Sequence, residues 1–458
     1  MEFNEKLLKE KYFPQALTKI KEIVKIQSYA QPPTTAAPYG PGVKEVLDYA
    51  INLGQELGFK TYRDKNNKYG YLEYGDGKEI FAMLGHLDVV PPGNLEEWKI
   101  PPFSPEIIND ILYGRGVLDD KGPTIIILYC LKYLKDHGYQ PNRLIRVIFG
   151  LTEETTWDSI NTYMKQEGTP TFGFTPDGMF PLVYAEKGII NLDIIGTGHK
   201  SIVINAGDAY NVTCSTSNIN GVDIESFVKI GKNKKYRIEN NNQQITIHGK
   251  PAHGSRPDEG INAGLRSLLI LNELKVEHNL IKFVGDILQE DTALTKYFGD
   301  LDDESGSFTI NVGIVEINSK SSKLGCNIRI PVKTDLQEIL NRLTKILKPY
   351  NLTIKQQHYD KPLYIPQEST IVIKLMEIYQ EVTGDKKAKP IAIGGGTYAR
   401  AIPNCVAFGA IFDHTNSTEH QYNECIKVDE LWKSMLIYVR AISTLGSLEI
   451  GKLYKKLE

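Results

Sequence analysis

The chain has no surplus of either charge: 53 basic and 56 acidic side chains leave a formal charge of -3. It therefore lacks the basic stripe that a nucleic-acid-binding surface needs. It is also poor in cysteine. Cys130, Cys214, Cys326, Cys405 and Cys425 are odd in number and widely spaced, which excludes a disulfide framework and a CxxC metal knuckle. Free thiols in a reducing compartment are expected instead. No apolar run approaches the roughly 20 residues that cross a bilayer, and the segment TIIILYC after Pro123 falls far short. The opening MEFNEKLLKE is charged and has no apolar signal core. Internal repeats and low-complexity tracts are missing as well. These absences point to an ordinary soluble protein, expected in the cytoplasm, with neither nucleic acid nor membrane as a partner. At 458 residues it exceeds the usual size of one core, so two domains are expected.

What is present is strand and helix in alternation. Apolar residues recur at helical spacing from Leu7 to Ile23 and again through GVKEVLDYAINLGQELGF, residues 42–59. Strands are expected at 60–64, 70–74 and 80–84, the last uniformly apolar as an inner strand of a covered sheet would be. A helix at 123–137, a strand at 144–151, a helix at 158–166 and a strand at 172–175 continue the pattern. It predicts an α/β fold with a central mixed sheet flanked by helices. Beyond Gly188 short β-like runs dominate, joined by helices near Gly260 and in DLQEILNRLTKIL, with strands at 309–315 and 327–332. The α/β pattern resumes near Pro366, with a helix at 370–383, strand IAI, a glycine-rich turn, strand VAFGAI and a helix from about Val428. The reading is a discontinuous first domain, 1–188 and 366–458, with an α+β domain at 189–365 inserted in it.

Acidic residues collect at the ends of the expected strands. In GHLDVV, His86 and Asp88 lie two apart and point the same way in extended chain. An imidazole so placed can bind a metal through one nitrogen while a carboxylate holds the other. YGRGVLDDKGP supplies Asp119 and Asp120, LTEETTW supplies Glu153 and Glu154, and TPDG supplies Asp177. Function in open α/β sheets gathers beyond the carboxyl ends of strands. A helix cap would account for Asp119, but not for acids recurring after successive strands. Like charges that close repel unless cations or protons intervene, so a metal centre is the economical reading. Gly395 and Gly396 before Thr397 make a turn without side chains, through which backbone donors can approach a ligand.

The segments GHLDVVPPG, LYGRGVLDDKGP, TEET, TPDG, PAHGSRPDEGINA, GGGTYAR and HQYNE, in this order from His86 to Glu424, resemble the aminoacylase/carboxypeptidase family of co-catalytic zinc peptidases. In detail they are most similar to its PepV/Sapep-type bacterial dipeptidases. The resemblance implies a zinc-peptidase catalytic domain with an inserted lid domain, and two divalent metal ions, zinc first with manganese or cobalt as alternatives. His86 and Asp177 would bind one ion, Glu154 and His420 the other, and Asp119 would bridge them. Asp88 would orient His86, and Glu153 would be the general base. His253 would be the lid histidine, joined by Asn211, and Arg400 would clamp the substrate carboxylate beside Gly395, Gly396 and Thr397. The implied activity is hydrolysis of unblocked dipeptides by a monomer, with a homodimer as the alternative. The rival readings are an N-acyl-amino-acid hydrolase, a short-peptide aminopeptidase or carboxypeptidase, and an inactive peptide-binding protein. His137, His199, His248, His278 and His358 are read as structural or surface residues, Met83 as core filling, and His414 as buried or loop without a ligand role. Thr155, Thr156 and Trp157 follow the paired glutamates where the wider family often has glycine.

Overall fold

The computed structural model describes residues 3–241 and 244–449. The chain forms two compact units: 1–184, 365–391 and 396–458 make the first, and 185–364 with 392–395 make the second. The fold is α/β, with mixed sheet flanked by helices and an additional domain inserted in the chain.

In the first unit the strands run in the spatial order Lys60–Arg63, Gly70–Tyr74, Leu144–Gly150, Ile80–His86, Phe172–Thr175, Cys405–Ala407 and Val183–Glu186. Four neighbours at the centre, from Leu144–Gly150 to Cys405–Ala407, pair in parallel, and the flanking strands are antiparallel. The central strands are rich in Ile, Val, Phe and Leu and are buried almost throughout, as both faces of a covered parallel sheet require. The helix Lys121–Asp136 is buried along nearly its whole length, and it packs against the helices Phe13–Val24 and Val428–Ser447. That cover explains its sequence. An all-round apolar helix belongs inside a protein rather than on its surface. It begins two residues before Pro123, and proline is tolerated there because the first turn has no intrahelical partner for its missing donor.

Two glycines let these layers meet. A methyl group on Gly85 would run into the Thr124 hydroxyl of the buried helix, and one on Gly150 would run into the Tyr398 ring. Both glycines sit in the last two positions of central strands, next to the residues that bear the acidic clusters.

The second unit is an eight-stranded antiparallel sheet in the order Arg237–Asn240, Ile245–His248, Thr216–Asn220, Val203–Ala206, Thr309–Ile317, Ser321–Ile330, Gly188–Thr197 and Thr353–Asp360. The helices Ile224–Asn233, Ala263–Glu273 and Leu336–Leu347 contribute Phe227, Leu268 and Leu343 to its own core. The strand expected at 327–332 is the second half of Ser321–Ile330 and stops before Pro331, since proline cannot donate to a ladder. Among the described residues no helix is long and apolar enough to cross a membrane. All five cysteines are free, and four are buried.

Gly150→Ala is expected to lower stability by about 1–3 kcal/mol, the usual cost of forcing a methyl into a filled core. Chemical denaturation checks this; an unchanged midpoint would mean that the Tyr398 ring yields without cost.

Candidate metal centre

Parallel pairing puts three strand ends side by side. His86 closes its strand opposite Gly150, and Met83 pairs with Phe174 on the other side. The residues just past these ends, Glu153 and Glu154 on one neighbour and Asp177 on the other, therefore flank His86. Asp119 enters from the loop before the buried helix, and His420 from the loop before the strand Cys425–Lys427. His420 has a left-handed backbone, φ 60°, which is uncommon for a residue with a side chain.

The buried His86 ring makes its Nδ1 contact to the backbone carbonyl of Asp88, at 3.0 Å. A carbonyl only accepts, so Nδ1 carries a proton and Nε2 is the nitrogen turned toward the carboxylates. Nε2 faces Asp119 Oδ1 at 2.8 Å and Asp177 Oδ2 at 3.9 Å. His420 Nε2 faces the other Asp119 oxygen, Oδ2, at 2.9 Å and Glu154 Oε1 at 3.0 Å. Among the described residues three donor groups each gather within 4.8 Å: His86, Asp119 and Asp177; Asp119, Glu154 and His420; and His86, Glu153 and Glu154.

Asp88 works by two routes. Its backbone carbonyl holds the His86 ring, and its carboxylate, 3.6 Å from Nδ1, accepts the backbone N–H groups of Glu153 at 3.2 Å and Glu154 at 3.1 Å. The sequence assigned it only the first task, and through its side chain. Asp120, buried beside Asp119, accepts the His86 backbone N–H at 3.2 Å and the Thr124 hydroxyl at 3.1 Å. On the far side Thr175 Oγ1 donates to Leu84 O and accepts from the backbone of Asp177.

The electrostatics are those of a site built around cations. Burial, then the Asp119 charge, pushes Glu154 up to about 7 and Asp177 up to about 6. The backbone amide of Tyr398 hydrogen-bonds Asp177 and opposes that rise. Burial, then the Asp177 charge, drives Glu153 well above the carboxylate range. Burial, the largest single influence, would lower the imidazoles, but the hydrogen bonds and charges of Asp119 and the other carboxylates around them together outweigh it, raising His86 well above its ordinary value and His420 to about 11. Burial would raise Asp119, yet hydrogen bonds from His420 and His86 hold it well below the usual range. Each imidazole thus keeps a proton where a cation would satisfy the same carboxylates. One Nε2 of His420 faces two carboxylate oxygens, which a single N–H serves poorly and a divalent ion serves well. Mixed imidazole and carboxylate donors without thiolate fit zinc, manganese or cobalt.

The remaining residues singled out in the sequence fall in two places. In the first unit, buried Thr397 caps the turn by accepting the Ala399 N–H at 3.2 Å, and the Arg400 guanidinium lies over Gly396. In the second unit, the exposed His253 bridges to Val212 through its backbone, and Gly254 N–H donates to Asn211 O at 2.7 Å. His253 Nδ1 pairs with Ser255 Oγ at 2.7 Å. Gly394, next to Gly395, accepts from buried Arg329 at 2.9 Å. His414 lies outside the cluster and reaches the Phe180 carbonyl. His137, His278 and His358 have local partners in Tyr133, Thr197 and Asp360, and His199 accepts from the backbone of Ile202. His248 pairs with Glu239, and Met83 is core.

Three residues without an assigned role support the cluster. Tyr398, fully buried, sets its ring edge-on to both His86 and Trp157. Arg115 and Glu424 form a buried ion pair at 2.8 Å beneath Asp119. Their only sequence signal was membership of the GGGTYAR, YGRG and HQYNE segments.

Cation binding must displace protons from His86 and His420 and, near neutrality, from Glu154 and Asp177. Affinity is therefore expected to rise with pH between about 6 and about 8, with proton release visible by calorimetry in buffers of different ionisation enthalpy. Affinity independent of pH would contradict the ligand set. Asp119→Asn should leave at most one ion bound per chain, as measured by elemental analysis after dialysis.

A Staphylococcus haemolyticus protein provisionally designated a dipeptidase is 31% identical over 468 aligned residues, covering 95% of this chain and 98% of its own. The fold matches human carnosine dipeptidase 1 with a TM-score of 0.59 at 14% identity, over 96% of this chain and 99% of that one. It matches an M20 family metallo-carboxypeptidase from Sulfolobus solfataricus with a TM-score of 0.57 at 18% identity, over 94% and 99%. The sequence profile of peptidase family M20/M25/M40 matches residues 82–444; that span runs from the strand bearing His86 through His420 to the last helix, and the chain belongs to this peptidase family.

Proposed function

We propose that the chain is a dinuclear metal-dependent dipeptidase of the PepV/Sapep type, hydrolysing the amide bond of unblocked dipeptides. The observation that carries this reading is the division of Asp119, one oxygen toward His86 and the other toward His420. His86, Asp177 and one side of Asp119 would hold one divalent ion; Glu154, His420 and the other side would hold the second. Ions bound there would lower the pKa of an attacking water and polarise the scissile carbonyl.

The chain's own groups do the rest. Glu153 takes the proton of the attacking water and returns it to the departing amine. In support, Asp88 fixes the backbone of both glutamates, which lets adjacent side chains divide the work, Glu154 toward a metal and Glu153 toward water. His253 would stabilise the developing oxyanion as part of an inserted lid domain, with Asn211 beside it. Arg400, planar and always charged, suits bidentate capture of the substrate's terminal carboxylate, with Gly395, Gly396 and Thr397 lining the same turn. Near-full-length similarity to the provisionally designated staphylococcal dipeptidase favours dipeptides over longer substrates.

Metal-depleted protein refilled with zinc or manganese should cleave a free dipeptide and leave the N-acetylated form and the matching tripeptide nearly untouched. Preference for the acetylated compound would move the chain to the acylase class and keep the metal centre. Glu153→Ala should reduce kcat by about 10²–10⁴-fold, the range of general acid–base catalysis, with metal content unchanged; undiminished turnover would remove Glu153 from the mechanism.

A further inference from the structure

Glu424 stands four residues after His420, fully buried, in the same short segment. Its Oε1 accepts the backbone N–H groups of Gly116, Leu118 and Asp119 at 3.0, 3.0 and 3.2 Å. Its Oε2 accepts from Arg115 Nη1 at 2.8 Å, and its backbone carbonyl accepts the Gly114 N–H at 3.0 Å. Arg115 is held in turn over the Trp98 ring, 5.1 Å from its centroid. The preceding residue closes a second loop: Asn423 donates to Glu97 O at 3.1 Å and accepts from Lys99 N–H at 2.6 Å.

A buried carboxylate is costly unless its acceptor sites are filled. Here four donors fill them, all from the loop that ends in Asp119, and three of the four are its backbone amides. The loop has no regular structure of its own to fix it. An apolar side chain at this position would fill the same space but would leave three amides unpaired and the loop free to shift.

We propose that Glu424 is a positioning residue of the metal centre, holding the backbone that presents Asp119 in register with His420 before any ion binds. The inference rests on the reading of Asp119 and His420 as ligands. It makes the HQYNE segment a device that supplies one ligand directly and sets a second, 305 residues earlier in the chain, through the backbone. Preorganised ligands bind metal more tightly because less ordering accompanies binding, and loss of a supporting partner commonly lowers affinity about 10–100-fold.

The test uses the full chain and zinc as the probe. Zinc affinity, by competition with a chromophoric chelator, is expected to fall at least about tenfold in Glu424→Met, which fills the space but leaves the three amides without an acceptor, with dipeptide turnover restored by excess zinc and KM little changed. Arg115→Lys, which keeps the charge and the three amide contacts, should stay within about threefold of wild type, given the small effect expected when these contacts survive. Glu424→Met that unfolds cooperatively without metal yet binds zinc like wild type would overturn the proposal. Should that variant not fold, hydrogen exchange in the wild-type chain decides. Amides of Gly116, Leu118 and Asp119 should be as protected without zinc as with it, and protection appearing only on zinc binding would overturn preorganisation by Glu424. A wild-type chain that binds no zinc would instead remove the metal-centre reading on which the proposal stands.

Discussion

Four carboxylates crowded at the end of one sheet repel one another, and the arrangement around them follows from that repulsion. Asp119 lies between two imidazoles, and in the absence of a cation both hold protons to balance it. Glu154, Asp177 and Glu153 are pushed the other way, toward holding protons themselves. Such a cluster is unfavourable as a purely structural element, since apolar residues of similar volume would pack without the desolvation penalty. It makes sense as a receptor for positive charge.

The scaffold keeps these side chains from relaxing away from one another. Three adjacent parallel strands end at the same level, so His86, the Glu153–Glu154 pair and Asp177 are placed by sheet register rather than by loop conformation. Hydrogen bonds then tie the ends together. Asp88 joins the His86 segment to the paired glutamates, Thr175 joins Asp177 to the His86 strand, and Asp120 joins the buried helix to His86. Gly85 and Gly150 permit the close approach of the helix and of Tyr398. Trp157, three residues after Glu154, takes a left-handed φ of 57°, a conformation that glycine adopts at less cost, and its ring rests edge-on against Tyr398.

Much of this was legible in the sequence because the site uses local rules. Apolar runs such as IFAML and LIRVIFG mark central strands, and a histidine or acid directly after each run marks the chemical end of the sheet. The α/β character with an inserted domain followed from the same alternation. The supporting contacts were harder to read. Glu424 meets Asp119 across 305 residues, and neither periodicity nor composition reports such a pairing. Asp88 could be seen near His86, but its backbone carbonyl, not its side chain, makes the closer contact, and its carboxylate turns to a loop 65 residues away. Tyr398 reads as one more aromatic after a glycine turn until the fold sets its ring against His86.

The central claim is that Asp119 is shared between two bound cations. Anomalous diffraction from crystals of the zinc-loaded protein tests it directly. The account predicts two metal peaks, one in contact with His86 and Asp177, the other with Glu154 and His420, and Asp119 in contact with both. A single peak, or two peaks that leave Asp119 bound to one ion only, would contradict it.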